Sequence, residues 1–441
     1  MRAPQTLEWL RRYESRNVTF IEADGSWPIV WERARGAHVW DAEGRRYLDL
    51  TAAFGVAAAG HANPRVVQAG TRQMTKLLHA MGDVHPHALK ARLASALSGL
   101  TFERWTRPRA QGGTGEREGS MRGKTIFCNS GFEAVEAALK TAKLATGKAG
   151  VIAFVGAYHG LGYGALNATH REHFRSHFSG QLGEFGRWAP FPAGPEELPA
   201  VGEAIERLFR GRPMGAVLVE PIQVRGGVNI PPPEFLPLLR RLCDEHSALL
   251  ILDEIYTGFG RTGKWFACEH SGTVPDLICL GKALTGGFPL SACVGKGAVM
   301  DAAWPPSTGE AIHTSTFLGH PVGCAMALAQ LEEIRTRRLV QRSASLGRVL
   351  LSLLSNMAAR SSALQLSARG LGLLAGLEVR ATDGSPGTTA TLGVVKTMLH
   401  SGFILLPEGE HANVLSFTPP LTISESGLEA AVNRLDRSLP K

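Results

Sequence analysis

Cysteine is sparse and scattered in this 441-residue chain. Its six cysteines (Cys128, Cys243, Cys268, Cys279, Cys293, Cys324) lie far apart, with no Cys-x-x-Cys and no paired Cys/His spacing. That excludes a disulfide framework and a structural zinc site, so no metal is expected. Thiols lodged in apolar runs fit a reducing compartment, and a cytoplasmic protein is expected. Long hydrophobic runs are missing too. The N-terminal MRAPQTLEWLRRYESR has no apolar signal core, and nothing approaches the ~20 apolar residues of a membrane span. No G-x-G-x-x-G follows a first strand, which argues against a dinucleotide-binding oxidoreductase. Nor is there an aromatic–basic stripe. The net charge of +8 arises from basic residues interleaved with acids, as in Glu103-Arg104 and Glu332-Glu333-Ile334-Arg335. This reads as a solvated surface rather than a nucleic-acid face, and no nucleic acid or membrane partner is expected.

What is present is a large globular α/β pattern. A chain of 441 residues exceeds the size at which single cores stop growing, so a large and a small lobe are expected. Short apolar runs (Thr125–Cys128, Val151–Val155, Ala216–Val219, Ala248–Leu252, Leu277–Leu280, Ala292–Val294) alternate with helical patterns at Phe132–Leu144, Leu198–Phe209 and Phe235–His246. Such alternation predicts a mostly parallel sheet flanked by helices. From Pro321 the pattern shifts to helices at Val322–Arg335 and Leu346–Ala358, a Gly-rich strand region around Arg369–Gly376, and a last helix near Glu425–Leu435. That shift predicts a smaller α+β lobe. The stretch Trp105–Lys124 contains GGTGE, but no strand precedes it and no Walker lysine follows, so a surface loop is expected.

The densest chemistry lies between Ala248 and Ala292. Asp253 ends one apolar run; Lys282 follows the next, Pro275–Leu280. In an open parallel sheet, ligands sit outside the carboxyl ends of the strands, so both side chains are expected in one crevice. A lysine beside apolar surface can lose its proton and attack a carbonyl. A buried carboxylate opposite it needs a cationic partner. Pyridoxal phosphate meets both needs, with an aldehyde for Lys282 and a pyridinium nitrogen for Asp253. Taken singly, the lysine reads as a loop charge and the Asp-Glu pair as a helix cap; the joint pattern carries the inference. Asn129-Ser130-Gly131-Phe132 opens a predicted helix and can serve as an anion site through its free N–H groups.

The string from Ala248 to Ala292 resembles the signature of the class III (ornithine or omega-amino-acid type) aminotransferases, fold type I pyridoxal-phosphate enzymes, and the likeness extends over nearly the whole chain. The resemblance implies a 63–320 cofactor-binding domain, a 321–441 small domain, and a 1–62 segment packed with it, including a hairpin of Ala37–Val39 and Tyr47–Leu50. It implies that Ser130, Gly131 and Phe132 bind the phosphate, although Phe132 stands where the family has a small residue or threonine. Tyr158, with His159 beside it, resembles the ring that stacks on the pyridine, with Ile255 on the other face. Glu220-Pro221-Ile222-Gln223 is similar to the family's Glu-Pro-Ile-Gln, in which the glutamine hydrogen-bonds the ring hydroxyl. Thr316, in His-Thr-Ser-Thr-Phe, implies a contact to the phosphate of a neighbouring subunit and hence a homodimer. The activity implied is transfer of an amino group from an amine or omega-amino acid to a 2-oxo acid. A racemase, aminomutase, decarboxylase or phospho-lyase would use the same Lys282 and Asp253.

The sequence departs from that family in one place that bears on substrate. The glutamate expected after Glu-Pro-Ile-Gln is replaced by Val224-Arg225, and the arginine expected before Phe417-Thr418-Pro419-Pro420-Leu421 is Ser416. Both halves of a carboxylate gate are therefore expected to be missing. Arg225, a planar fork suited to carboxylates, is the candidate replacement, and Phe54 a candidate pocket wall.

Overall fold

The six apolar runs become strands of one seven-stranded sheet in the computed structural model, which describes residues 2–107 and 121–440. Its strands are β1 (Gly123–Cys128), β2 (Gly150–Phe154), β3 (Gly186–Ala189), β4 (Met214–Val219), β5 (Leu249–Asp253), β6 (Leu277–Leu280) and β7 (Ser291–Lys296), in the order β1-β7-β6-β5-β4-β2-β3. Neighbours are parallel except β7, which runs antiparallel between β1 and β6. The GGTGE segment lies outside the described residues.

Continuous apolar runs, rather than alternating ones, signal a sheet covered on both faces. Alternate residues of β5 show this directly. Ile251 packs beneath helix Gly131–Thr146 with Ala134, Ala138, Cys279 and Cys293. Leu250 and Leu252 face the other way, toward Phe235, Leu239 and Leu242 of helix Phe235–Glu245. The strand at Gly186–Ala189 was not legible in advance: it is four residues long, carries an arginine at its second position, and lies at the sheet's edge.

A second sheet joins Trp31–Arg35, His38–Asp41 and Arg46–Asp49 to Phe403–Ile404, which runs parallel to Arg46–Asp49. A third, antiparallel sheet contains Gln365–Leu371, Leu374–Arg380, Val414–Phe417 and Leu406–Glu408. The helix expected at Leu346–Ala358 starts earlier and runs Leu339–Arg360. Its first turns hide a buried serine, Ser343, whose hydroxyl donates to Arg261 O and accepts from Leu373 N–H. Among the described residues, no helix is long and apolar enough to cross a membrane, and no group of three or more His, Cys, Asp or Glu is arranged to hold a metal.

Candidate active site

Because β1, β2, β4, β5 and β6 all point the same way, the residues after each strand meet at one edge of the sheet, around a cavity of about 420 Å³. Asp253 and Lys282, from adjacent strands, both line it. Asp253 is buried and held from two sides: its Oδ2 lies 2.8 Å from His159 Nδ1, and its Oδ1 accepts from Ile255 N–H at 3.1 Å. The imidazole is in turn fully covered, and its Nε2 has no hydrogen-bond partner among the described residues. A carboxylate fixed in this way presents a defined direction to the cavity instead of rotating freely.

Lys282 sits at φ +37°, a left-handed conformation that a lysine adopts only where the surroundings impose it. Its Nζ lies 4.4 Å from the centre of the Tyr256 ring. Burial is the largest influence on the amine and pushes its pKa below the ordinary lysine value; Asp253 and Glu220 oppose this, while Arg225 adds to it. Glu220, buried after β4, accepts Tyr158 N–H at 2.9 Å. Burial raises its carboxyl to about 7, with His159 pulling down and Asp253 pushing up.

At the other end of the cavity, helix Gly131–Thr146 begins. Glu133 folds back so that its Oε2 accepts from Asn129 N–H at 2.6 Å and Ser130 N–H at 3.2 Å. The N–H groups of the first helical residues, Gly131 and Phe132, have no intrahelical acceptor, and Ser130 Oγ is buried with no hydrogen bond among the described residues. An orphaned hydroxyl beside open helix-start N–H groups suits a phosphate, so the residues present fit pyridoxal phosphate. Space is tight at Gly131: an added Cβ would lie 3.1 Å from Ile255 Cδ1. Phe132, the departure from the family, lines the cavity with the loop of Gly160 and Leu161 folded over it.

The structure brings Gly131, Phe132, Tyr158, His159, Glu220, Arg225, Asp253, Ile255 and Lys282 to one cavity, and Ser130 directly precedes Gly131 as the helix N-cap. Three expected residues are placed elsewhere. Gln223 is buried with its amide committed: Nε2 donates to Val155 O at 2.8 Å and Oε1 accepts from Asn229 at 3.2 Å. Its side chain braces the wall from behind and is not part of the cavity lining. Phe54 is exposed, on a turn whose neighbour Gly55 packs against Tyr256. Thr316 is exposed and does not line the cavity of its own chain.

The two gate residues are absent at their expected positions, and the structure adds an ion pair that the sequence reading did not foresee. Arg225 Nη1 lies 3.3 Å from Glu408 Oε1 and from Oε2, so an ion pair is present with its charges exchanged between the two segments. The loop after Glu-Pro-Ile-Gln supplies the cation and the C-terminal lobe the anion. Burial raises the Glu408 carboxyl, and Arg225 opposes that rise. The sequence reading also missed Tyr256, which lines the cavity between Ile255 and Thr257; its position three residues after Asp253 was the available signal. Glu408 carried none, since it is 183 residues from Arg225.

Across its whole length the chain shares the fold of solved transaminases. An amine transaminase from an uncultivated Pseudomonas species, solved in its PLP-bound form, matches with a TM-score of 0.84 and 26% identity, covering 97% of this chain and 98% of that one. Residues 20–439 match the family described as Aminotransferase class-III, and the chain belongs to it. Among curated relatives, the 5-aminovalerate aminotransferase of Pseudomonas aeruginosa is 36% identical over 91% of both chains. The putrescine aminotransferase of Pectobacterium atrosepticum is 36% identical, covering 92% of this chain and 81% of that one. The protein is therefore a pyridoxal-phosphate-dependent aminotransferase acting on an amino donor and a 2-oxo acid, and the racemase, aminomutase, decarboxylase and phospho-lyase alternatives are not favoured.

Proposed function

We propose that the cavity transfers an amino group from a primary amine or omega-amino acid to a 2-oxo acid, with Lys282 and Asp253 as its catalytic residues. The observation that carries this is their juxtaposition: an amine with a burial-lowered pKa and a fixed, buried carboxylate at the ends of adjacent strands. Bound pyridoxal phosphate supplies an aldehyde carbon for amine exchange and a ring that accepts an electron pair. Lys282 Nζ, more readily neutral than an ordinary lysine, takes a proton from the donor's carbon and later returns one. Asp253, oriented by His159, would hold the pyridine nitrogen. Ser130 Oγ with the N–H groups of Gly131 and Phe132 would hold the phosphate, and Tyr158 and Ile255 would cover the two ring faces. Glu220 keeps the Tyr158 backbone in place through its 2.9 Å contact. The 5-aminovalerate and putrescine aminotransferases among the relatives support an amine at the end of an aliphatic chain as donor. Arg225 is the anchor for the acid's carboxylate.

The active form we propose is a cytoplasmic homodimer, in which Thr316 of one copy completes the phosphate site of the other. Six free, buried thiols support the compartment; a band of exposed apolar side chains, described below, supports the dimer. We place the lobe boundaries near 62 and 320.

Borohydride reduction of the cofactor-loaded protein, followed by peptide mapping, is expected to find the pyridoxyl label on Lys282, and Lys282→Ala to remain folded but lose essentially all turnover. A label on Lys264 or Lys296 would overturn the assignment. Consumption of 2-oxo acid in step with donor is the expected stoichiometry.

A further inference from the structure

Tyr256 is a cavity residue that the chemistry above leaves without a task. Its ring lines the cavity beside Lys282, whose Nζ lies 4.4 Å from the ring centre. The side chain is buried in an apolar cluster with Ile222, Val224, Val228, Leu374 and Val414. Its edge is held as well. Gly55 packs so close that an added Cβ would lie 2.9 Å from Tyr256 Cε1. The turn that brings Gly55 there is strained, with Ala52, Ala53 and Phe54 at φ +48°, +49° and +60°.

The hydroxyl points away from the chemistry. Thr418 Oγ1 donates its single proton to Thr51 O at 3.0 Å, so Tyr256 O–H is the donor in its 3.3 Å contact with Thr418. Burial pushes the phenol up to about 12, and it is no acid–base group near neutral pH. What Tyr256 offers Lys282 is therefore the face of its ring. The carboxylates acting on Lys282 are Asp253, Glu220 and Glu408, with Arg225 opposing them. Each is committed elsewhere: Asp253 to His159 and Ile255 N–H, Glu220 to Tyr158 N–H, and Glu408 to Arg225. A carboxylate in direct contact would favour the ammonium by about tenfold to a thousandfold, leaving little free amine to act as a base. A ring face favours it by about tenfold, which steadies the cation without abolishing the base.

We propose that Tyr256 is a positioning residue whose ring face seats the Lys282 amine once it has taken up the donor's proton. This rests on Lys282 as the base. In that step the donor's C–H bond breaks and an N–H bond forms on Lys282. The electron pair stays with the carbon and the cofactor bonded to it. The amine becomes an ammonium where burial disfavours charge, and the Tyr256 face compensates the charge without a competing hydrogen bond. Because Lys282 pivots on a left-handed backbone fixed at φ +37°, the seat returns Nζ to one place in each cycle.

The test uses full-length protein loaded with pyridoxamine phosphate, which leaves Lys282 unlinked. Acetic anhydride modifies neutral amines, and peptide mapping across pH reads the midpoint at which Lys282 becomes reactive. Access to the reagent alters the rate but not that midpoint. Tyr256→Leu removes the ring. It is expected to lower the midpoint by about one pH unit, a tenfold loss of ammonium, and to slow the donor half-reaction about tenfold with the donor's KM unchanged. Water admitted beside the smaller side chain would move the midpoint up, so the sign separates the two effects. Tyr256→Phe keeps the face and is expected to match wild type in both measurements. Tyr256→Met, also without a ring, serves if Tyr256→Leu does not fold. A midpoint that stays level or rises in the variant without a ring overturns the proposal, as does a Tyr256→Phe midpoint that falls equally far. Borohydride mapping of the pyridoxal-phosphate form keeps the premise separate. A label on Lys282 with no change in midpoint removes only the role of Tyr256. A label elsewhere in wild type removes Lys282 as the base and the seat with it.

Discussion

Two buried acids on adjacent strands show how neighbours divide the work among residues of one type. Asp253 receives an imidazole nitrogen and a backbone N–H, both of which favour an oriented carboxylate. Glu220 receives one backbone N–H, and burial carries its carboxyl from 4.5 up to about 7. A carboxyl whose folded pKa is raised holds its proton longer in the folded protein than in the unfolded chain. Its contribution to stability is therefore fully present below the unfolded value of 4.5 and is lost as the pH rises through about 7. Glu220→Gln, which keeps an oxygen for Tyr158 N–H but has no proton to lose, is expected to escape that loss. In thermal melts of cofactor-free protein, the variant's advantage over wild type is expected to grow from near zero at about pH 5 to about 2–3 kcal/mol at about pH 8. A difference that is flat across that range would show that Glu220 ionises in the folded protein as it does in water.

At the scale of elements, the site depends on where strands stop and where one helix starts. The apolar runs were legible because a doubly covered strand must be apolar throughout, and the residue after each run is therefore a candidate for the crevice. That logic found Ser130, Asp253 and Lys282. It did not extend to Gln223, because a loop's spacing does not say whether a side chain points into the cavity or braces its wall, and here the amide bonds to Val155 and Asn229. It could not reach Glu408, whose position depends on how the small lobe docks. The helix start is the tightest of these junctions. A methyl at residue 131 would approach Ile255 to 3.1 Å, close enough to displace that side chain or shift the helix N-terminus. Gly131→Ala is therefore expected to weaken pyridoxal phosphate binding, by about tenfold if a single N–H contact to the phosphate is lost, while global stability falls by about 1 kcal/mol or less because the helix gains alanine propensity. Cofactor dissociation followed by absorbance is the measurement. Unchanged retention would mean that Ile255 yields without cost and that the close approach has no functional consequence.

At the scale of the whole molecule, the described surface carries a band of apolar side chains that a single copy leaves exposed. Leu78, Met81 and Val84 are 59%, 53% and 62% exposed, and Phe317 is 53% exposed. The two segments share one region: the His79 and Phe317 rings lie 5.4 Å apart in an edge arrangement, Thr314 Oγ1 donates to Asp83 at 2.6 Å, and His87 Nε2 lies 2.7 Å from Gly319 O. Exposed apolar side chains grouped in this way support the proposed dimer, and Thr316 lies beside Phe317, exposed and outside the lining of its own cavity. In the proposed dimer, a second copy seated there would bury the band and bring Thr316 toward the other copy's helix start. Met81→Glu is expected to shift the protein toward monomer in sedimentation and to lower activity on dilution, with the fold retained. The arrangement makes a sharper demand on mixtures. A Lys282→Ala copy retains its threonine and a Thr316→Ala copy retains its lysine, so a heterodimer has one site with both. Two preparations of low activity, dissociated and mixed, are expected to regain part of the wild-type rate together with tighter cofactor retention. Failure to regain either, or full activity in a strictly monomeric Met81→Glu fraction, would mean that each cavity is complete within one chain and that Thr316 has no partner across the interface.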